Sequence, residues 1–329
     1  MEAVIFNADF EWQLFQKNQF FKSSKKTQEF EYLINWVEPH QTIYTTVDYP
    51  KDYQRWFFKF NHEAFKFTDS ASTITPWCGN FDQIELKRKL QDKSKTLNFA
   101  AQYNLGPQQF ALINDAAQIE PGFLYKFPKS LSGMGHYHFQ DQDKMKNLLK
   151  SGEVLTKEKV LNRILDFSTL WQDCQLMYFY RNIVTDNYQY RGTIIEKNTG
   201  FLTSEEKEFF ESKKHFLLGW LDNLKGIFSI DSFLYLEDNQ RKIYFLSEVN
   251  CRKTMGYSAI HLAQKFFPDA VMVKFLFGNY QLPVRDYEKL YSDSNGSILP
   301  LSPDGHKFKC FLIAGDNEQD ISSLEKLLL

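Results

Sequence analysis

The stretch 226–263, GIFSIDSFLYLEDNQRKIYFLSEVNCRKTMGYSAIHLA, decides how this chain is read. Two runs dense in Phe, Ile, Tyr and Leu, 228–236 and 242–250, flank the polar tetrapeptide EDNQ, a pattern that predicts a β-hairpin. A helix over 257–267 follows and stops at Pro268. In the second strand, Glu248 and Asn250 share a face, because side chains alternate along a strand. Asp231, on the preceding strand, can stand beside them. Two carboxylates and an amide oxygen form a hard-oxygen set suited to Mg²⁺ that is also held by nucleotide phosphates. Arg252 extends the same edge, where a guanidinium suits a transferring phosphoryl group. Alone, E-x-N is a weak signal, since a strand carboxylate is more often only solvated.

The segment LYKFPKSLSGMGHYHF (124–139) is the second informative stretch. It predicts a strand over 123–126, a Ser/Gly loop over 128–135 and another strand over 136–139. Glycines let backbone N–H groups approach phosphate oxygens, serines add donors and Lys126 adds charge. The loop by itself reads equally as a hairpin with a glycine turn. Neither G-x-x-x-x-G-K-[ST] nor G-x-G-x-x-G occurs. His136 and His138 alternate on one strand, but without a third ligand they read as ordinary surface rather than a metal pair.

Lys93 in LQDKSKT, Lys126 with its loop, Asp231 in GIFSIDSF and Glu248-x-Asn250-x-Arg252 occur in the order seen in ATP-grasp enzymes. K-x-P-x-S-x-S-G-x-G followed by S-E-V-N-x-R-x-T-M-G resembles a bacterial branch of that superfamily, over roughly 85–270. The resemblance implies an ATP-grasp fold behind an N-terminal preceding domain. It makes Lys93 and Lys126 the lysines that hold the ATP phosphates, with Lys126 and Arg252 acting in catalysis. Ser130, Ser132, Gly133 and Gly135 become a lid loop, and Asp231, Glu248 and Asn250 hold one or two Mg²⁺. Met177, Tyr178, Phe179 and Tyr180 become the hinge whose backbone meets adenine. The chain departs from the pattern in lacking a hinge Glu, in Met134, and in Ser229 where some relatives place Arg, a loss Arg191 would make good.

The implied activity is an ADP-forming carboxylate–amine ligase working through an acyl phosphate on small-molecule or peptide substrates. The alternatives are a phosphotransferase on the same fold and a non-catalytic nucleotide-binding protein. Dimers are frequent among similar enzymes, and the sequence leaves a homodimer open.

Composition bounds the rest. A chain of 329 residues with 43% hydrophobic and 24% charged residues is long enough for several packed subdomains. Its 32 Phe and 17 Tyr point to an aromatic core. The net charge of −2 argues against a broad nucleic-acid surface. No apolar run approaches the ~18 residues of a membrane span. The start, MEAVIFNADFEWQLF, lacks a secretory pattern, and four scattered cysteines suit reduced thiols in the cytoplasm.

Alternating strand and helix patterns give an α/β (α+β) class. The expected units are 1–85, a preceding α/β domain; 86–175, with the lid loop; 176–285, with the metal-binding strands; and 286–329, a strand–helix extension. Further expectations are β-structure in RWFFKF (55–60), single helices over 82–103 and 156–171, a strand over 175–180, and a capped helix from Thr203 ended by Gly226.

Overall fold

The computed structural model describes residues 1–15, 24–106, 110–129, 135–186 and 188–328. Three sheets organise them. The first is parallel, built from Glu2–Ile5 (β1), Ile43–Tyr44 (β2), Phe67–Thr68 (β3) and Thr73–Pro76 (β4) in the order β3-β2-β1-β4. The second is antiparallel: Phe110–Ile113 (β5), Phe123–Lys126 (β6), His136–Tyr137 (β7) and Leu155–Lys159 (β8), in the order β5-β8-β6-β7.

The third sheet comprises Asn162–Gln172 (β9), Gln175–Val184 (β10), Tyr190–Glu196 (β11), Ile227–Glu237 (β12), Gln240–Asn250 (β13), Met272–Gly278 (β14), Ile298–Pro300 (β15) and Lys309–Gly315 (β16). Its order is β13-β12-β9-β10-β11-β14-β16-β15. Mixed strands and helices in these layers are the α/β (α+β) class expected.

Local chemistry explains most elements. The β12–β13 hairpin turns at Asp238 and Asn239, both at positive φ, which suits a tight reversal. Thr203 and Glu206 form the reciprocal capping box of the helix Ser204–Leu221, which ends at a left-handed Asp222 rather than at Gly226. The expected helix over 82–103 is two, Ile84–Gln91 and Lys93–Gln102, because Asp92 turns extended and its side chain caps the second.

Two elements differ in kind from expectation. RWFFKF is helical, within Lys51–Asn61, because Tyr53, Trp56 and Phe57 bury one helical face in the aromatic core. Residues 156–171, expected as a helix, are β8 and β9, since β9 lies inside the sheet between β12 and β10.

The boundaries expected at 175/176 and 285/286 do not divide the structure. The first falls in the β9–β10 hairpin, and β15 and β16 complete the large sheet instead of forming an extension. That C-terminal part also anchors the first 85 residues. Trp36 and Tyr53 both donate to the Leu301 carbonyl at 2.8 Å, and Trp56 donates to that of Pro300 at 2.9 Å. No helix among the described residues is long and apolar enough to cross a membrane.

Candidate functional site

The β12–β13 hairpin sets the first wall of the site. Asp231 stands directly opposite Glu248, and Ser229 opposite Asn250. The register slips between Asp231 and Phe233, an irregularity of the kind that re-aims side chains beside a site. On its other side Asp231 faces Ser168 of β9, whose hydroxyl donates to it at 2.6 Å. Asn182 of β10 donates to Ser168 at 2.6 Å, and Asn250 donates to Asp231 at 3.0 Å. Burial, then the neighbouring Glu248 charge, pushes the Asp231 carboxyl up to about 6.

The second wall is basic and comes from the small sheet and the helices beside it. Lys126 at the end of β6 is buried and paired with Glu158 of β8 at 2.7 Å. Burial pulls the Lys126 ammonium below its ordinary value against the pull of Glu158. Lys93 opens its helix, lies buried, and pairs with Glu248 at 3.1 Å, so it ties the two walls together. Its backbone N–H donates to the Pro128 carbonyl at 3.1 Å, joining it to the chain that leaves β6.

Lys126, Tyr180, Asp231, Glu248, Asn250 and Arg252 line one cavity of about 190 Å³. Arg163 and Asp166, which sequence reasoning missed, line it as well, and so does His136, which reads from sequence as ordinary surface. Arg163 pairs with Asp166 at 2.9 Å and lies over the Phe233 ring, 3.8 Å from its centroid. It supplies the extra guanidinium expected from Arg191, which is not among the lining residues. Burial, then Lys126, Lys93 and Arg163, holds the His136 imidazole well below its usual value, so it sits neutral among cations. β9 brings in Arg163 and Asp166 by pairing with β12 and β10, and no motif marks them, whereas His136 arrives on β7, opposite Lys126.

Arg252 is largely buried, and its Nε donates to the Glu11 carboxylate from the N-terminal unit. Burial pulls the guanidinium down, but Glu11, with Cys78 and Glu248, outweighs this and raises it. Tyr180 approaches the helix Met255–Phe266 so closely that a Cβ on Gly256 would lie 2.6 Å from its hydroxyl oxygen, which only glycine allows.

The remaining expected residues do not gather here. Met177–Tyr180 is not the link between sheets: it lies in mid-strand, paired to β9, and only Tyr180 reaches the cavity. Phe179 packs on Phe210 instead, and Tyr178 takes a hydrogen bond from Gln264. The connection between the small and large sheets is Val160 and Leu161. Gly135 accepts from the Phe127 N–H at 2.8 Å and so closes the base of the loop, whereas Ser130, Ser132 and Gly133 lie outside the described residues.

Among the described residues no three His, Cys, Asp or Glu side chains cluster as a metal site. The candidate set here is two acids and an amide. Its chemistry fits a hard divalent cation, because two facing carboxylates carry negative charge that Lys93 alone does not cancel.

No family model matches the chain, and no curated protein matches it. Solved structures do. The ADP complex of N5-carboxyaminoimidazole ribonucleotide synthetase aligns with TM-score 0.58 at 12% identity, over 99% of this chain and 95% of that one. The Staphylococcus aureus enzyme complexed with ADP gives 0.55 at 12%, over 100% and 97%. The Thermus thermophilus enzyme gives 0.56 at 10%, over 100% and 97%. This likeness, running the length of the chain at low identity, shows that the chain has the ATP-grasp fold.

Proposed function

We propose that this chain is an ATP-dependent, ADP-forming carboxylate–amine ligase. The observation that carries the reading is the cavity lined by Lys126, Asp231, Glu248 and Asn250, with Lys93 paired to Glu248 beside it. The ADP complexes among the similar structures support nucleotide binding. Lys93 and Lys126 would neutralise the phosphates, while Asp231, Glu248 and Asn250 would hold Mg²⁺. Bound there, the ion would supply charge neutralisation on phosphoryl oxygens. The γ-phosphoryl group would pass to a substrate carboxylate, giving an acyl phosphate and ADP. Arg252 would steady that acyl phosphate while an amine displaces phosphate and forms the amide. Positioning and charge account for such chemistry, which needs no protein nucleophile.

The test is thermal unfolding with Mg²⁺-ATP, Mg²⁺-ADP and metal-free ATP, on wild type and Glu248→Gln. Ligand at ~100 times its dissociation constant adds about 2.7 kcal/mol. A shift that needs Mg²⁺ in wild type and shrinks in the variant is expected. A panel of acids and amines read by ADP and phosphate release then separates ligase from kinase. No shift with any nucleotide at millimolar concentration would sink the reading.

A further inference from the structure

Resting on that reading of Arg252, we infer that Glu11 is its positioning residue: it grips the Nε edge of the guanidinium and leaves the other edge to an anionic group in the cavity. Glu11 sits in the short helix Phe10–Leu14 after β1, 241 residues from Arg252 along the chain; its side chain is buried, and that of Arg252 is 11% exposed. Arg252 Nε donates to Glu11 Oε1, and Nη1 donates to the Lys253 carbonyl at 3.3 Å. Among the described residues nothing accepts from Nη2, although Arg252 lines the cavity. A planar fork fixed along one edge presents its remaining donors in a set direction, which a lysine does not do.

The platform under Glu11 is stitched to the same segment. Asn7 accepts from the Cys78 N–H at 2.9 Å and donates to the Gly79 carbonyl at 2.7 Å, tying the ends of β1 and β4. The Lys253 N–H donates to the Cys78 carbonyl at 2.8 Å. Glu11 therefore acts from a braced position. It does so at a cost, because its second oxygen is buried without a partner. Its charge also repels an anion in the cavity, so its effect on anion binding has a diagnostic sign.

Inorganic phosphate, titrated without nucleotide and read by thermal shift, is the probe. Wild type binds it, and Arg252→Ala weakens it at least tenfold. Glu11→Ala weakens it about fivefold despite removing a negative charge. Glu11→Gln, whose amide oxygen still accepts from Nε, returns to within twofold of wild type. In the Arg252→Ala background Glu11→Ala weakens it no further. Tighter phosphate binding in both Glu11 variants, additive losses, or phosphate binding indifferent to Arg252 would each overturn the inference. Should Glu11→Ala not fold, the Arg252 Nε–H resonance decides, identified by its loss in Arg252→Lys. Slow exchange with solvent is expected, and fast exchange overturns the proposal. If phosphate behaves as stated but Mg²⁺-ATP gives no shift, the ligase reading fails and the role of Glu11 stands.

Discussion

The two walls of the cavity balance their charge in opposite ways. On the small-sheet wall Lys126 meets Glu158 at 2.7 Å, and Tyr244 satisfies the other oxygen of that carboxylate at 2.6 Å. On the large-sheet wall Asp231 faces another acid, and its own hydrogen-bond partners, Ser168 and Asn250, carry no charge. The first wall is complete as folded. The second holds negative charge that burial makes expensive, which is why Asp231 is pushed up to about 6. Under the proposed function, Mg²⁺ would supply positive charge to this wall.

The largest effect should come from breaking the complete wall. Lys126→Ala strands Glu158 as a buried carboxylate facing only Tyr244, and breaking such a pair costs about 3–5 kcal/mol. Urea unfolding measures it, and an unchanged midpoint would erase the contrast between the walls. The same variant should also lose affinity for ATP.

Asp231→Asn should act with the opposite sign. The folded carboxyl titrates near 6 against an ordinary 3.8, so between those pH values the folded state holds a proton that the unfolded chain has released. Stability therefore declines as pH rises across that window and stays lowered above it. Removing the charge should stabilise the metal-free protein by up to about 3 kcal/mol at neutral pH and abolish the Mg²⁺-dependent nucleotide shift. Destabilisation at neutral pH and none at acid pH would mean that the acidic wall is already balanced.

Arg252→Lys keeps charge but loses the fork held by Glu11, and turnover should fall about tenfold with ATP affinity within about twofold. Equal losses would place Arg252 on the nucleotide instead. The smallest effect is a control away from both walls. Thr203→Ala removes one half of a capping box for about 1 kcal/mol, and the nucleotide shift should be unchanged.

The acidic wall was legible because its members are close in sequence and the motif is local. A hairpin turn and strand alternation are enough to bring Asp231, Glu248 and Asn250 together. The basic wall was legible only as two lysines. Glu158, the partner of Lys126, and the neighbouring Arg163 and Asp166 lay hidden in a stretch that local pattern assigned to a helix. Apolar residues there follow helical spacing as well as strand spacing, and pairing with β12 and β10 decided between them. RWFFKF failed in the other direction: aromatics favour strands locally, but the core needed them three and four residues apart.

By itself the sequence determined the hairpin and the capped helix, because each depends on residues within a turn or two of one another, and it displayed the aromatic content and the order of two lysines, an acid and an E-x-N-x-R run. Only the tertiary structure decided that Lys93 reaches Glu248, that Ser168 and Asn182 hold Asp231, and that Glu11 grips Arg252. Those contacts join residues 14 to 241 positions apart, and their energy comes from burial and charge pairing that no local propensity encodes.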